Sequence, residues 1–275
     1  MSTSINLDNY FERIGYEGPD SPTLDTLKTL HRKHTENIPF ENLNPFLGME
    51  VKLDPQSLEQ KMIPHKRGGY CFEQNLLFRE VLRSIGFDAQ GLAARIRWNR
   101  PEVEISARGH MLLLIEIDDQ KYIADVGFGG LTLTAPLRLE TGIIQETPHE
   151  PYRLDRKGED YLMQTLVRDE WKDVYQFNLV ENYVPDYEIT NWYLSNHPES
   201  HFVTGLIAAR PVPGRRYALR DNRFSIHHLN GETEKQPLET TSEIREVLET
   251  HFLLSLPEEN GLDKKLSQLI EDNGN

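Results

Sequence analysis

The sequence predicts an α+β fold in three stretches: helices first, then an antiparallel sheet or partly closed barrel, then a mixed α/β end. Three observations carry this. Apolar residues recur at helical spacing up to Gly86, short strand-like segments follow from Asp88 to Val180, and helix signals return after Val184-Pro185. The 275 residues exceed the usual size of one domain and predict two or three modules sharing an interface and a substantial core.

In the first stretch, Leu24, Leu27, Leu30, His31 and His34 share one helical face, and Asp54-Pro55 supplies an N-cap and a first helical residue ahead of Leu58 and Met62. A further helix from Cys71 through Ile85 carries Leu76, Leu77, Val81, Leu82 and Ile85 and closes near Gly86. Strands are predicted over 92–98, 111–117 and 121–126, then over 152–155, over 161–167 after the Lys157-Gly158 turn, and over 174–180. The last stretch reads as a helix over 186–196 ending before Pro198, then short strands over 202–208, 216–219 and 224–229. Two terminal helices start near 242 and 262, the first with a capping box of Thr240 and Glu243. These boundaries give modules at 1–86, 87–185 and 186–275.

One cysteine forbids an internal disulfide and fits a reducing compartment. Residues 1–8 lack a basic n-region and an apolar h-region, and the longest apolar run, 111–115, is too short for a bilayer, so a soluble cytoplasmic protein is expected. The formal charge of −14 argues against nucleic acid or an anionic membrane as partner. Acid is concentrated at the end, with eleven Asp and Glu against four Lys and Arg over 231–275, whereas 61–110 holds nine Lys and Arg against five Asp and Glu. The stretch around the cysteine is thus locally basic, as an anionic substrate would require; scattered solvated charge is the plainer reading.

That cysteine sits in Arg67-Gly68-Gly69-Tyr70-Cys71-Phe72-Glu73-Gln74-Asn75, where a two-glycine turn delivers Cys71 to the first turn of a helix. Unpaired N–H groups and the positive end of the helix dipole favour a thiolate there, which is what a nucleophile needs. A lone cysteine elsewhere is more often a small buried hydrophobe.

A thiolate also needs a base, and the base an orienting group. His110 and Asp125 lie on two successive strands joined at Asp118-Asp119. A two-residue loop there pairs residues whose numbers sum to 237, setting Asp125 opposite Leu112 and diagonally across from His110. The other histidines fit less well. His31 and His34 lie three apart on a helix with no third ligand at sensible spacing, so no metal is expected and exposed or capping roles are assigned to them. Gly127, Gly129 and Gly130 form a glycine-rich strand exit after Asp125, where backbone approaches a ligand or the Cys71 helix. Glu41, in apolar company beside Pro39-Phe40, calls for a paired charge, and Arg67 is the natural partner.

With Pro39-Phe40-Glu41-Asn42-Leu43, the cysteine block, Gly109-His110 before an apolar strand and Asp125-Val126-Gly127-Phe128-Gly129 in that order, the chain resembles the arylamine N-acetyltransferases over essentially its whole length. The resemblance implies a helical bundle, a β-barrel and an α/β lid around a catalytic core like that of cysteine proteases and transglutaminases. It implies Cys71 as nucleophile, His110 as base and Asp125 as orienter. Acetyl-CoA is the implied co-substrate, and aromatic amines or hydrazines the acceptors. Phe40, Tyr70, Phe128 and Phe202 are candidates for an apolar acceptor pocket, and Ser106, Gly127, Gly129 and Gly130 for CoA contacts. Two alternatives stay open: a related Cys-His-Asp amide synthase or thiol hydrolase, and a non-catalytic binding protein. Besides the small aromatic amines or hydrazines, a homo-oligomer stays open as a partner.

Overall fold

A computed structural model describes residues 5–101, 103–257 and 261–273. The helical stretch opens with α1 (Leu7–Ile14), capped by the Asn6 side chain and stopped at Gly15. Next come α2 (Leu24–Asn37), capped by Thr23, then the two-residue β1 (Phe40–Glu41), α3 (Leu43–Phe46), α4 (Pro55–Met62), capped by Asp54, and α5 (Cys71–Ile85). Of these α1, β1 and α3 are not among the elements expected from the sequence; β1 and α3, at two and four residues, are too short to show a periodicity.

The middle of the chain forms an eight-stranded antiparallel sheet, nearly closed into a barrel, from β2 (Asp88–Ile96), β3 (His110–Ile117), β4 (Gln120–Ala124), β5 (Leu137–Arg138), β6 (Ile144–Gln145), β7 (Tyr152–Lys157), β8 (Asp160–Val167) and β9 (Glu170–Glu181). Its order is β5-β4-β3-β2-β9-β8-β7-β6. The two edge strands meet through one side chain. The Gln145 amide accepts the Arg138 N–H at 2.8 Å and donates to the Arg138 carbonyl at 2.9 Å, standing in for a strand partner. The β3–β4 turn is the two residues Asp118 and Asp119, both at positive φ (49° and 61°), as a tight hairpin of this length requires. Pairing from Ile117↔Gln120 to Leu113↔Ala124 follows the register that loop dictates.

The final stretch contains α6 (Val184–Asn196), α7 (His201–Thr204), β10 (Ile207–Val212), β11 (Arg215–Arg220), β12 (Arg223–His228), β13 (Thr233–Pro237), α8 (Thr241–Thr250) and α9 (Leu262–Asn273). A strand over 202–208 is not what forms: the Ser200 side chain accepts the Phe202 N–H, the chain turns through α7 and breaks at Gly205, and the strand begins at Ile207. A serine cap and a glycine stop outweigh the β-propensity of Phe202 and Val203.

Three apolar clusters hold these layers. One joins α1, α2 and α5 to the faces of β2 and β3; a second fills the barrel around Leu112, Ile123, Tyr152 and Tyr175; the third lies under the β10–β12 sheet and α8. Leu43 and Phe46 of the first stretch belong to the third cluster, and β1 pairs with β10, so the segment before Cys71 is stitched into the C-terminal sheet. No helix among the described residues is long and apolar enough to cross a membrane.

Candidate active site

Cys71 is the first residue of α5, 4% exposed, and its Sγ donates to the Gly109 carbonyl at 3.7 Å. The turn before it admits only glycine: a Cβ at Gly68 would lie 2.0 Å from the Pro39 carbonyl oxygen, and one at Gly69 2.7 Å from Glu73 Oε2. That turn is held by a buried network. Glu73 Oε2 accepts the Tyr70 N–H at 3.1 Å and its Oε1 takes Lys61 Nζ at 2.6 Å, while Glu41 Oε1 accepts Arg67 Nε at 3.0 Å and Nη2 at 2.8 Å. Lys61 also lies 3.8 Å from Glu41, so two cations serve two buried carboxylates. Burial works to protonate Glu41, but Arg67 and then Lys61 hold its carboxyl below the usual range; at Glu73 burial wins and the carboxyl is pushed up. A cavity of about 540 Å³ reaches Lys61, Arg67 and Glu73 from outside, and Cys71, His110 and Asp125 are not among its walls.

The register of β3 and β4 brings His110, the first residue of β3, to Asp125, the residue after β4, with Nε2 and Oδ2 at 2.7 Å. Both are buried. The Cys71 sulfur meets the carbonyl of Gly109, the residue before His110, and since Nε2 serves Asp125, Nδ1 is the ring nitrogen left for the sulfur. Burial disfavours the imidazolium, yet the Asp125 carboxylate and its hydrogen bond, helped by Cys71, push His110 up to about 10. Asp125 is moved oppositely: burial raises it, and His110, Asn75 and the Gly127 N–H together hold it below the usual carboxylate range. Cys71, His110 and Asp125 are thus brought together, with a thiol at a helix N-terminus, an imidazole beside it and a buried anion hydrogen-bonded behind.

Several supporting residues lie outside the sequence reading. Asn75, one helical turn after Cys71, donates to Asp125 Oδ1 at 3.0 Å and to the Met111 carbonyl at 2.8 Å and accepts the Val126 N–H at 3.1 Å, locking β3 and β4 to α5. Its i, i+4 relation to Cys71 is a signal that could have found it. The Tyr175 ring lies 5.0 Å from that of His110 and 5.5 Å from that of Phe128. His31 and His34 correct the sequence reading, because both are fully buried. His31 Nε2 accepts the Asp125 backbone N–H at 3.2 Å. His34 lies between the Tyr10 hydroxyl (2.8 Å at Nδ1) and Gln74 Oε1 (2.7 Å at Nε2), and the Gln74 amide donates to the Pro39 carbonyl at 2.7 Å. The helical stripe that includes Leu27 and Leu30 faces α5, and His31 Nε2 and both ring nitrogens of His34 are met by partners distant in sequence rather than by water.

The four aromatics divide. Phe128 is half-buried and stands edge-on to His110 at 5.2 Å; Phe40 and Phe202 meet at 6.1 Å. Tyr70 has no exposed surface, packs on Phe202 at 5.2 Å and hydrogen-bonds Asn191 of α6. Gly127 lies against Cys71 itself, since a Cβ there would sit 2.8 Å from Cys71 Cα, and its N–H serves Asp125 at 2.9 Å. The Gly129 N–H goes to Thr132 Oγ1, Gly130 faces open space, and the Ser106 hydroxyl donates to the Ile96 carbonyl at 2.9 Å. Among the described residues no group of three or more His, Cys, Asp or Glu is placed to hold a metal ion.

This chain is similar to known proteins over nearly its whole length. A sequence model for the N-acetyltransferase family matches residues 23–260. The arylamine N-acetyltransferase of Mycobacterium tuberculosis is 39% identical over 274 residues, covering 97% of this chain and 96% of the relative. That of Escherichia coli is 41% identical over 252 residues, covering 91% and 89%. The structure of the Mycobacterium marinum arylamine N-acetyltransferase in complex with CoA superposes with a TM-score of 0.92 at 39% identity, covering 96% of this chain and 99% of that one.

Proposed function

The chain belongs to the arylamine N-acetyltransferase family, and on that premise we propose that it moves the acetyl group of acetyl-CoA to the nitrogen of an aromatic amine or hydrazine through an acetylated Cys71. The observation that carries this reading is the buried His110–Asp125 hydrogen bond set beside Cys71, whose sulfur meets the Gly109 carbonyl at the N-terminus of α5. His110 takes the thiol proton, leaving an imidazolium between two anions, and the thiolate attacks the thioester carbonyl. The tetrahedral intermediate collapses, the C–S bond to CoA breaks, and CoA leaves as its thiol with the proton from His110. In the second half-reaction the amine attacks acetyl-Cys71, His110 accepts its proton, and the sulfur departs. Asp125 stays ionised throughout and keeps the proton on Nε2, so that Nδ1 exchanges protons with sulfur and substrate.

Between the two halves the acetyl-cysteine must outlast water. Phe128 over His110, with Phe40 and Phe202 nearby, supplies an apolar surface for the ring of the acceptor, backed by Tyr70. Gly130 has room to line the path of the donor, whereas Gly127 supports Cys71 from behind. A cytoplasmic setting fits, since a reducing compartment keeps the only cysteine a thiol.

The test is CoA release from acetyl-CoA with and without 4-methoxyaniline or a hydrazine, with the acetylated amine measured alongside. Release that depends on the amine and yields one amide per thiol supports the proposal. Release at an unchanged rate without amine makes the protein a thioester hydrolase and sinks it.

A further inference from the structure

His31 takes no proton in the scheme above, yet it touches the orienting aspartate. Asp125 lies one residue beyond β4, and the ladder ends at Leu113↔Ala124, so the Asp125 N–H sits where strand pairing has stopped. His31 Nε2, from 94 residues away in sequence, accepts that N–H at 3.2 Å. An accepting nitrogen carries no proton, so the neutral ring bears its proton on Nδ1, and Nδ1 is buried with no hydrogen-bond partner among the described residues. The rest of the ring stands edge-on to Phe78 at 5.8 Å. An apolar side chain would fill this site without stranding a donor. What histidine adds is one lone pair at Asp125.

We propose that His31 is a positioning residue of the acetyl-transfer site, a neutral Nδ1–H imidazole that replaces the missing strand partner of Asp125 and so fixes the carboxylate against His110. The Asp125 side chain is then free for its three donors, His110 at 2.7 Å, Gly127 N–H at 2.9 Å and Asn75 at 3.0 Å. A second proton, on Nε2, would face one donor with another and set a second cation beside Asp125 in competition with His110. Burial guards against that, holding the ring neutral. His34, one turn along α2, shows the opposite arrangement: Gln74 donates to backbone carbonyls, so its Oε1 faces His34 and must receive an N–H from Nε2, while Nδ1 accepts from Tyr10.

This inference rests on the proposed transfer only for its kinetic readout. In His31→Leu the acceptor is gone; in His31→Gln, Oε1 stands as many bonds from the backbone as Nε2 and restores it. The leucine variant is expected to lose about 10- to 100-fold in kcat, and a similar factor in the rate of Cys71 alkylation by iodoacetamide, with both KM values within about twofold. The glutamine variant recovers most of that loss. Leucine with wild-type rates, or glutamine as impaired as leucine, overturns the proposal. In the wild type, nitrogen NMR must show His31 protonated on Nδ1 and His34 on Nε2; an Nε2–H tautomer at His31 overturns it even if the leucine variant does not fold. Alkylation and tautomer need no substrate, so a wild type that fails to acetylate amines refutes the function and leaves this inference to its own test.

Discussion

Lowering the pH from 7 to 5 is the perturbation that most directly reads the two histidines of α2. Burial drives His31 down to about 3 and His34 down to about 4, while Asp125 beside the first and Gln74 beside the second pull the other way and lose. In the unfolded chain each takes a proton near its ordinary value of about 6.5. Below that value the unfolded chain binds two protons that the folded protein refuses, so stability is present above it and falls as pH drops. By linkage each histidine costs about 2 kcal/mol at pH 5, about 4 kcal/mol together, against a typical total of about 5–15 kcal/mol. The figure is set by the unfolded value, because both folded values lie well under 5. His149, His201, His227 and His251, each lowered first by burial and then by a neighbouring cation (Arg216, Arg220, Lys235 and Arg210), act in the same direction more weakly because they are partly exposed. Glu73, raised by burial, opposes them. Urea unfolding at pH 7, 6 and 5 should therefore show a fall in stability for the wild type, and His31→Gln and His34→Gln should each shrink that fall by about 2 kcal/mol whatever they do to stability at pH 7. A wild type equally stable at pH 5 and 7, or variants with an unchanged pH slope, would refute the reasoning.

Three further outcomes are expected. Asp125→Asn removes the charge that outweighs burial at His110, so the ring titration followed by NMR should fall from about 10 to below its ordinary value and acylation should drop by about 10³- to 10⁴-fold; it also abolishes the wild-type loss of stability as pH rises from about 6.5 through 10, and an unmoved titration would remove Asp125 from the account. Breaking the buried pair by Glu41→Gln or Arg67→Met should cost about 3–5 kcal/mol in urea unfolding, with Arg67→Met the milder because Lys61 still stands 3.8 Å from Glu41; wild-type stability in both contradicts a stabilising pair. Gly127→Ala drives a methyl to 2.8 Å from Cys71 Cα and should lose most acylation, whereas Gly130→Ala, with nothing within 4 Å, should keep it; equal rates in the two variants count against the tight packing of the glycine turn on Cys71.

What the sequence made legible is what short-range rules decide. Gly68-Gly69 ahead of an apolar stripe places Cys71 at a helix start, and Asp118-Asp119 between two alternating runs sets the register that carries His110 towards Asp125. Asn75 was within reach of the same reasoning, being four residues from Cys71 on the same helix face. His31 and His34 were misplaced because polarity argued for solvent, and only the packing of α2 on α5 and the end of β4 shows that Asp125, Gln74 and Tyr10 replace it. Tyr175 reaches His110 through the pairing of β9 with β2, a contact that no local pattern encodes. Phe202 turned out helical because a cap and a glycine stop acted on a segment too short for propensity to rule.

The excess of positive charge over 61–110 has a meaning other than attraction of an anion. Lys61 and Arg67 are committed to Glu73 and Glu41, two carboxylates that could not be buried ionised without them. Arg95 and Arg97 donate to the carbonyls of Ser106, Pro101 and Glu104, and so tie down the loop that leads from β2 into His110. Arg83 binds the Ala89 carbonyl, and Arg79 meets Glu80, at the other end of α5. These cations hold the turn before Cys71 from one side and the loop before His110 from the other, with their charge neutralised on the spot or facing backbone dipoles. In an acidic chain, a locally basic stretch is then a mark of construction: the anions it answers are mostly the protein's own, buried where the turn and the loop must not move.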